Sequence, residues 1–247
     1  MVFVTGWACP GNRIESIIKP VKDRTSVDIT VLDPNLIPTH NQPVVDPEST
    51  SPYAYKLNEQ IRDITGRVIV VGWSMGGMIA QEHAACFPDT VDGLILIGST
   101  PRFCRTDDFP CGKPGSLVRG MITGLSVAPR ITMSRFFREV SHPLKLKRDK
   151  LQEYVEQTML YDSGNLKSGL NYLLSADLRG LISEIDIPVL LIHGENDSII
   201  SYEASKWLDS HLIDSRLISY SKSGHDLPLQ NPVDLSVDIA GFMNEIE

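Results

Sequence analysis

The chain has 247 residues, 42% of them hydrophobic and 22% charged, which fits one globular domain with or without an inserted subdomain. Its formal net charge of −8 argues against a general nucleic-acid partner, and its longest apolar runs are too short to span a membrane. No basic, cleavable leader precedes the first apolar run, so we expect no signal peptide and a cytoplasmic location.

Strand and helix patterns alternate in the first part of the chain. Short apolar runs predict strands at 2–5 and 27–32, and amphipathic spacing predicts helices at 14–21 and 55–64. The stretch 34–52 is rich in proline and small polar residues and is predicted to be a loop. His40 lies in this loop, and the sequence offers no partner that would make it catalytic.

The run 68–71 is β-branched and wholly apolar, which is typical of a buried parallel strand. It leads into Gly72-Trp73-Ser74-Met75-Gly76, and apolar residues then recur at helical spacing. Strand, G-x-S-x-G turn and helix form the context of a nucleophile elbow, in which glycines avoid steric clashes that a Cβ would cause. We therefore predict that Ser74 exposes its hydroxyl at this turn; the alternative is a packing turn with an ordinary capping serine.

The second part of the chain begins with a predicted strand at 91–97 and then changes character. Residues 101–180 carry many arginines and lysines, no strand signal, and apolar residues at intervals of three and four. We interpret them as a helical cap inserted over the strand ends. The pattern then resumes with strands at 187–194 and 215–219 and helices at 204–212 and 232–246.

This alternation predicts an α/β fold with a doubly wound, mostly parallel sheet of about six strands. The predicted core comprises 1–100 and 181–247, and the predicted cap comprises 101–180. The four cysteines, Cys9, Cys86, Cys104 and Cys111, form no CxxC pair. Free thiols are favoured, although Cys104 and Cys111 leave a disulfide or metal pair open.

Asp197 and His225 each follow a predicted strand, as Ser74 does. Because the carboxyl ends of parallel strands share one edge of a sheet, these side chains are predicted to meet there. The chain order is serine, aspartate, histidine. In such a triad the histidine takes the proton of the serine hydroxyl and the carboxylate fixes the histidine tautomer. No metal or organic cofactor is needed for this chemistry, and none is expected.

Alternatives remain at each position. Glu195 lies close to Asp197, and we favour Asp197 because it stands farther past the strand. Asp226 and His193 are possible substitutes, although His193 falls inside a buried strand and fits a hydrogen-bonded core histidine better. The backbone N–H groups of Trp7 and Met75 are the predicted oxyanion donors, whereas a core tryptophan is the other interpretation of Trp7.

These residues resemble the α/β-hydrolase superfamily over essentially the whole chain, and within it the BioH-type pimeloyl-(acyl-carrier protein) methyl ester esterase family. The elbow is similar to that family's GWSLGG, and Gly6-Trp7 to its HGWG loop, with Thr5 where histidine is usual. Similar segments also border the predicted cap: Ser99-Thr100-Pro101-Arg102-Phe103, the stretch 107–114, and Asp177-Leu178-Arg179.

The resemblance implies hydrolysis of a methyl ester on a pimeloyl chain held by acyl-carrier protein, with Ser74, Asp197 and His225 as the triad and Trp7 and Met75 as oxyanion donors. It also implies that cap arginines hold the acidic carrier. Arg135 matches best, with Arg130 and Arg138 as neighbours. A basic cap on a net-acidic protein suits such a partner, whereas a solvated helix face is the alternative.

The chain departs from this family in three places. It is expected to lack one or two strands at one edge of the sheet, it has no G-x-G-x-S turn after Asp33, and its cap past Val140 shows little likeness. These departures affect the substrate more than the reaction. A short-chain carboxylesterase, a thioesterase and a ligand-binding receptor of the same fold stay as alternatives. We expect a monomer with no membrane partner.

Overall fold

The computed structural model describes residues 1–39 and 50–246, so His40 lies outside the described residues. Within them, six strands form a single sheet in the order β2-β1-β3-β4-β5-β6, and every neighbouring pair is parallel. This confirms the predicted parallel α/β sheet. The strands are β1 Val2–Val4, β2 Thr30–Leu32, β3 Ile69–Trp73, β4 Gly93–Ile97, β5 Val189–Gly194 and β6 Ser215–Tyr220.

Helices connect the strands. They are α1 Glu15–Thr25, α2 Pro52–Ile61, α3 Met75–Cys86, α4 Gly115–Val127, α5 Pro129–Val140, α6 Arg148–Thr158, α7 Ser163–Ser175, α8 Tyr202–Asp209, α9 Leu227–Gln230 and α10 Pro232–Glu245. Short 3₁₀ helices lie at Gly11–Ile14, Pro34–Leu36 and Arg179–Glu184. Helix α2 begins three residues before its predicted start, because the Ser51 hydroxyl accepts the Ala54 N–H and Pro52 opens the first turn.

The inner strands are buried on both faces, which explains their uninterrupted apolar sequence. Val70 and Leu94 point into one hydrophobic core, whereas their neighbours Val71 and Ile95 point into a second core on the opposite face. Helices α1 and α10 pack together on the second side. Successive side chains of a strand alternate between faces, so a strand covered on both sides must be apolar throughout.

Residues 101–180 form helices α4 to α7 between β4 and β5, and no strand lies among them. The chain leaves and rejoins the core at one place: Arg102 and Asp177 pair as an isolated β-bridge and as an ion pair, and Leu178 N–H donates to the Pro101 carbonyl at 2.9 Å. Arg179 adds ion pairs to Asp177 and Asp108. These contacts hold both ends of the helical segment together; its role as a separate cap stays a prediction.

None of the helices in the described part of the chain is long and apolar enough to cross a membrane. Within residues 1–39 and 50–246, no group of three or more histidine, cysteine or acidic side chains is arranged to hold a metal ion. The four cysteines are free thiols, and Cys9 and Cys104 are buried.

Candidate active site

Ser74 lies on the turn between β3 and α3, with φ 57° and ψ −121°. Residues other than glycine rarely adopt this backbone conformation, so contacts with the surrounding structure must maintain it. Ser74 N–H donates to the Ile97 carbonyl, and the Ser99 hydroxyl donates to the Ser74 carbonyl, both at 2.9 Å. A Cβ at Gly76 would lie 2.1 Å from the Val4 carbonyl oxygen, which gives the steric reason for glycine at this position of the elbow.

His225 lies beside this serine. Its Nε2 is 2.9 Å from the Ser74 hydroxyl oxygen, and its Nδ1 is 2.7 Å from Asp197 Oδ2. The His225 and Asp197 side chains are buried, with 3% and 0% of their surface exposed. The Trp73 indole N–H donates to the His225 carbonyl at 3.0 Å and fixes the histidine backbone against the elbow. The three residues predicted from separate strand ends therefore form one hydrogen-bonded chain.

The Asp197 carboxylate is fully hydrogen-bonded. Its Oδ1 accepts the backbone N–H groups of Ile199 and Ile200 at 2.7 and 2.8 Å, and its Oδ2 lies 3.2 Å from His193 Nε2 as well as next to His225. Burial alone would raise the pKa of this carboxyl. The charge of His225 and the hydrogen bonds from His193 and His225 outweigh burial and hold the Asp197 pKa well below its ordinary value. The carboxylate thus stays ionised beside the imidazole.

The alternative residues lie elsewhere or act differently. Glu195 is exposed and accepts a hydrogen bond from Ser219 Oγ at 2.7 Å. His193 is fully buried and bonds Ser205 Oγ and the Ile200 carbonyl, as expected for a core histidine. Its additional contact with Asp197 was not foreseen, although the four-residue separation across a strand end is the signal that could have indicated it.

Asp226, the residue after His225, forms a buried ion pair with Arg13. The Arg13 guanidinium lies over the rings of Trp73, Phe137 and Tyr154, with its carbon 4.2 Å from the Tyr154 ring centroid. The Ser141 hydroxyl also donates to Asp226 Oδ2, at 3.1 Å. The pair therefore joins the His225 loop to the first loop of the core and to α5 and α6. Neither periodicity nor residue spacing indicated a role for Arg13.

We expect Asp226→Ala to lower the free energy of unfolding by about 3–5 kcal/mol, because it leaves the Arg13 charge buried without its partner. Urea unfolding followed by circular dichroism measures this loss. The matched control is Arg216→Ala, which breaks an exposed ion pair with Glu245 and should change stability by less than about 1 kcal/mol. Equal losses in the two variants would contradict a stabilising role of the buried pair.

The two predicted oxyanion donors belong to segments that adjoin Ser74. Met75 is the first residue of α3, so its N–H has no acceptor within the helix. The loop that carries Trp7 touches the serine, since a Cβ on Gly6 would lie 3.1 Å from Ser74 Cβ and 3.7 Å from its hydroxyl oxygen. In the part of the chain that the structure describes, neither backbone N–H has a hydrogen-bond acceptor.

Helices of the segment 101–180 cover the side chains of Trp7 and Met75. The Trp7 indole N–H donates to the Leu166 carbonyl in α7 at 2.7 Å, and its ring packs edge-on against Phe136 of α5 at 4.9 Å. A Cβ on Gly169 would lie 2.6 Å from the Trp7 ring and 3.5 Å from Met75 Sδ. The Trp7 side chain is thus a buried core residue, as the alternative held, while its backbone lies at the candidate site.

The predicted carrier-binding arginines separate into two sets. Arg130 and Arg138 line a groove of about 310 Å³ between α5 and α6, and Arg130 pairs there with Glu156. The other lining residues are Ser134, Arg148, Leu151, Gln152 and Val155. Arg135 is exposed but does not line this groove. The structure therefore brings Arg130 and Arg138 together with Arg148, and places Arg135 apart from them.

Comparisons with known proteins agree with this architecture. The sequence profile of the alpha/beta hydrolase fold family matches residues 46–232. A pimeloyl-(acyl-carrier protein) methyl ester esterase of Nitrosomonas europaea is 34% identical over 176 residues, which cover 69% of each chain. One from Aromatoleum aromaticum is 31% identical over 182 residues, which cover 68% of this chain and 71% of the other.

Solved structures extend the likeness to nearly the whole chain. The esterase EaEST from Exiguobacterium antarcticum superimposes with a TM-score of 0.82 at 21% identity and covers 99% of this chain and 92% of its own. A bromoperoxidase from Bacillus anthracis also reaches 0.82, at 15% identity, and covers 98% and 91%. At such identities the superpositions show a common fold and not a common substrate.

Proposed function

Because the chain belongs to the α/β-hydrolase family and is related to pimeloyl-(acyl-carrier protein) methyl ester esterases within it, we propose that it hydrolyses that methyl ester in biotin biosynthesis, through an acyl-enzyme on Ser74. The observation that carries the proposal is the hydrogen-bonded chain from Ser74 through His225 to Asp197. It gives a serine hydroxyl the base that it needs at neutral pH.

In the first half of the proposed reaction, Ser74 Oγ attacks the ester carbonyl while His225 Nε2 takes the hydroxyl proton. Asp197 holds the proton on His225 Nδ1 and stabilises the imidazolium that forms. The carbonyl oxygen becomes negative and accepts hydrogen bonds from the N–H groups of Trp7 and Met75. His225 then returns the proton to the leaving methoxide, so methanol departs and the acyl group stays on Ser74.

In the second half, water replaces methanol in the same geometry. His225 takes a proton from the water as its oxygen attacks the acyl-enzyme carbonyl, and the same two N–H groups stabilise the second oxyanion. Collapse of this intermediate breaks the bond to Ser74 Oγ, which recovers its proton from His225. The products are a free carboxylate on the carrier-bound chain and the original enzyme.

Electrostatics supports a carrier-bound substrate. The groove between α5 and α6 gathers three arginines, Arg130, Arg138 and Arg148, against one acid, Glu156, on a protein whose net charge is −8. A local basic surface of this kind attracts an acidic partner and orients its approach. Helix α5 also packs against Trp7 through Phe136, so the groove and the candidate site share one helix. We infer that the carrier docks along this groove.

We expect Arg138→Glu to raise KM for the carrier-bound methyl ester by about tenfold, which corresponds to about 1.4 kcal/mol, and to leave KM for p-nitrophenyl acetate unchanged. The reversed charge repels the carrier but does not touch the triad. Steady-state kinetics with both substrates at two salt concentrations tests this, because screening should reduce the difference at high ionic strength.

Two further variants sharpen the comparison. Lys22→Glu makes the same charge change at an exposed residue of α1, a helix that packs on the other side of the sheet, and should leave both KM values unchanged. Arg135→Glu tests the arginine implied by the family resemblance. A loss at Arg135 without one at Arg138 would move the docking surface away from the groove, and equal losses on both substrates would count against carrier docking altogether.

A general short-chain carboxylesterase or a thioesterase is the second candidate, since the sequence past Val140 shows little family likeness. Mass spectrometry of the carrier separates these activities. The proposed reaction removes the methyl group and keeps the acyl chain on the carrier, whereas a thioesterase frees the carrier thiol. Rapid p-nitrophenyl ester hydrolysis without carrier demethylation would favour the general esterase, and ligand binding with no turnover would favour a receptor.

A further inference from the structure

Asn35 is a buried amide in the 3₁₀ helix that follows β2, with 2% of its surface exposed. Its Oδ1 accepts the Ala8 N–H at 2.8 Å, and its Nδ2 donates to the Gly6 carbonyl at 3.1 Å. One side chain therefore spans the loop on both sides of Trp7. None of the sequence motifs discussed above includes this residue.

The amide orientation is fixed by its surroundings. Nδ2 faces two acceptors, the Gly6 carbonyl and Asp33 Oδ1 at 2.7 Å, whereas Oδ1 faces a backbone N–H. Exchanging the two atoms would place oxygen against oxygen and N–H against N–H. Because the side chain must both donate and accept, an aspartate of the same shape cannot replace it.

The peptide bond between Gly6 and Trp7 links this contact to the candidate site. In a trans peptide the C=O and the following N–H lie in one plane and point in opposite directions. Holding the Gly6 carbonyl on Asn35 therefore turns the Trp7 N–H away from Asn35. The next residue, Ala8, has a φ of 54°, a left-handed value that persists only where surrounding contacts impose it.

Resting on the proposed function, we propose that Asn35 is a positioning residue for ester hydrolysis: its bridge between Gly6 and Ala8 aims the Trp7 N–H at the oxyanion. An oxyanion donor is effective only when it is already oriented, because reorganisation during the reaction cancels part of its benefit. Asn35 itself does not touch the reacting atoms in this role.

Asn35 is in turn anchored to the segment 101–180. Its backbone N–H donates to Asp33 Oδ1 at 2.9 Å, and Asp33 Oδ2 accepts the Tyr161 hydroxyl. Its carbonyl accepts Asn165 Nδ2 at 3.2 Å. Tyr161 and Asn165 flank the start of α7, so the orientation of the Trp7 peptide depends on contacts with the helices that cover the site.

Kinetics with p-nitrophenyl acetate tests the proposal without any contribution from carrier docking. We expect Asn35→Ala and Asn35→Asp to lower kcat by about 10–100-fold and to change KM by less than about threefold. The kcat loss should be smaller than the loss caused by removing an oxyanion donor entirely, because the Trp7 N–H is misoriented but still present. Asn35→Asp keeps the shape and the bond to Ala8 but cannot donate to Gly6, so its kcat loss should at least equal that of Asn35→Ala.

Thr158→Val is the matched control. The Thr158 hydroxyl donates to the Ala8 carbonyl at 3.2 Å, so this variant loses a bond to the same loop without touching the Gly6–Trp7 peptide. Its kcat should stay within about twofold of the parent. Urea unfolding of all variants separates stability from rate. Unchanged kcat in the Asn35 variants, or equal kcat losses in the Asn35 and Thr158 variants, would overturn the proposal.

A transition-state analogue gives a second measurement that reports on folded protein alone, because only folded protein binds it. A trifluoromethyl ketone adds to the serine and places a negative oxygen against the oxyanion donors. Its inhibition constant should rise in the Asn35 variants by the same factor by which kcat/KM falls, whereas the corresponding trifluoromethyl alcohol, which is neutral and cannot add to the serine, should bind unchanged. If the affinity for both ligands falls by the same factor, the site is damaged in general, and this result would contradict the proposal.

Ser74→Ala in the same assay distinguishes this inference from the function on which it rests. If Ser74→Ala hydrolyses the ester at the parent rate, the proposed function fails whatever the Asn35 variants do. If Ser74→Ala is inactive and the Asn35 variants keep the parent kcat, only the positioning role fails.

Discussion

Replacing Ser74 with alanine is expected to lower kcat for ester hydrolysis by about six orders of magnitude, because no other group in the site can form the acyl-enzyme. Alanine keeps the Cβ and removes only the hydroxyl that faces His225 Nε2, so the fold should be unchanged. Steady-state rates with p-nitrophenyl acetate and with the carrier-bound methyl ester measure the loss, and circular dichroism checks the fold.

A covalent probe supplies the control for this prediction. A fluorophosphonate should attach to Ser74 in the parent protein and should leave Ser74→Ala unmodified, as mapped by peptide mass spectrometry. An adduct on another residue, or hydrolysis that persists in Ser74→Ala, would show that the nucleophile is wrongly assigned. Ser210→Ala, which removes an exposed hydroxyl far along the chain, should behave as the parent does.

Asp197→Asn is expected to lower kcat by about 10⁴-fold at neutral pH, the size of the effect in other serine hydrolases with this arrangement. An amide can donate a hydrogen bond to His225 Nδ1, which favours the tautomer whose proton sits on Nε2 and blocks the base. Glu195→Gln is the matched control, since Glu195 is exposed and bonds Ser219 instead of His225. A larger loss at Glu195 than at Asp197 would reverse the choice between these two acids.

Acid should reveal the same carboxylate in stability measurements. A pKa that is lower in the folded than in the unfolded protein stabilises the fold above the ordinary aspartate pKa of about 4, and this contribution is lost as pH falls below that value. Asp197→Asn lacks this contribution. The difference in free energy of unfolding between the parent and Asp197→Asn should therefore shrink from neutral pH towards about pH 3; a constant difference would contradict the lowered pKa.

The sheet was predictable because its inner strands are buried on both faces and so must be apolar without interruption. The prediction failed in detail at the edge: 27–32 was expected to be a strand, whereas only Thr30–Leu32 pairs, opposite the three residues of β1. Edge residues such as Thr30 are exposed, and their pairing depends on the length of the neighbouring strand, which a local pattern does not report.

The meeting of Ser74, Asp197 and His225 was predictable because parallel strands bring their carboxyl ends to one edge, which fixes where strand-end residues meet. The contacts that join the loops around them were not predicted. Arg13 and Asp226 are 213 positions apart, and Asn35 reaches Gly6 from an irregular loop. Such contacts depend on how distant loops pack, and no periodicity or spacing within one segment indicates them.

The three arginines of α5 that the family resemblance groups together do not lie on one face of the helix. Arg130, Ser134 and Arg138 are spaced by four and line one groove, whereas Arg135 turns to another side of the same helix. The resemblance favours Arg135 and the groove favours Arg138. Both roles stay predictions until the charge-reversal kinetics decide between them.

The backbone at Ser74 has a consequence for protein engineering. With φ 57° and ψ −121°, this position adopts a conformation that glycine tolerates and serine does not favour. The strain lowers the free energy of unfolding by about 1–3 kcal/mol. A library selected only for heat resistance would therefore enrich glycine at position 74. Any directed-evolution scheme for a hardier variant must screen for turnover in every round, because robustness and chemistry place opposite demands on this one residue.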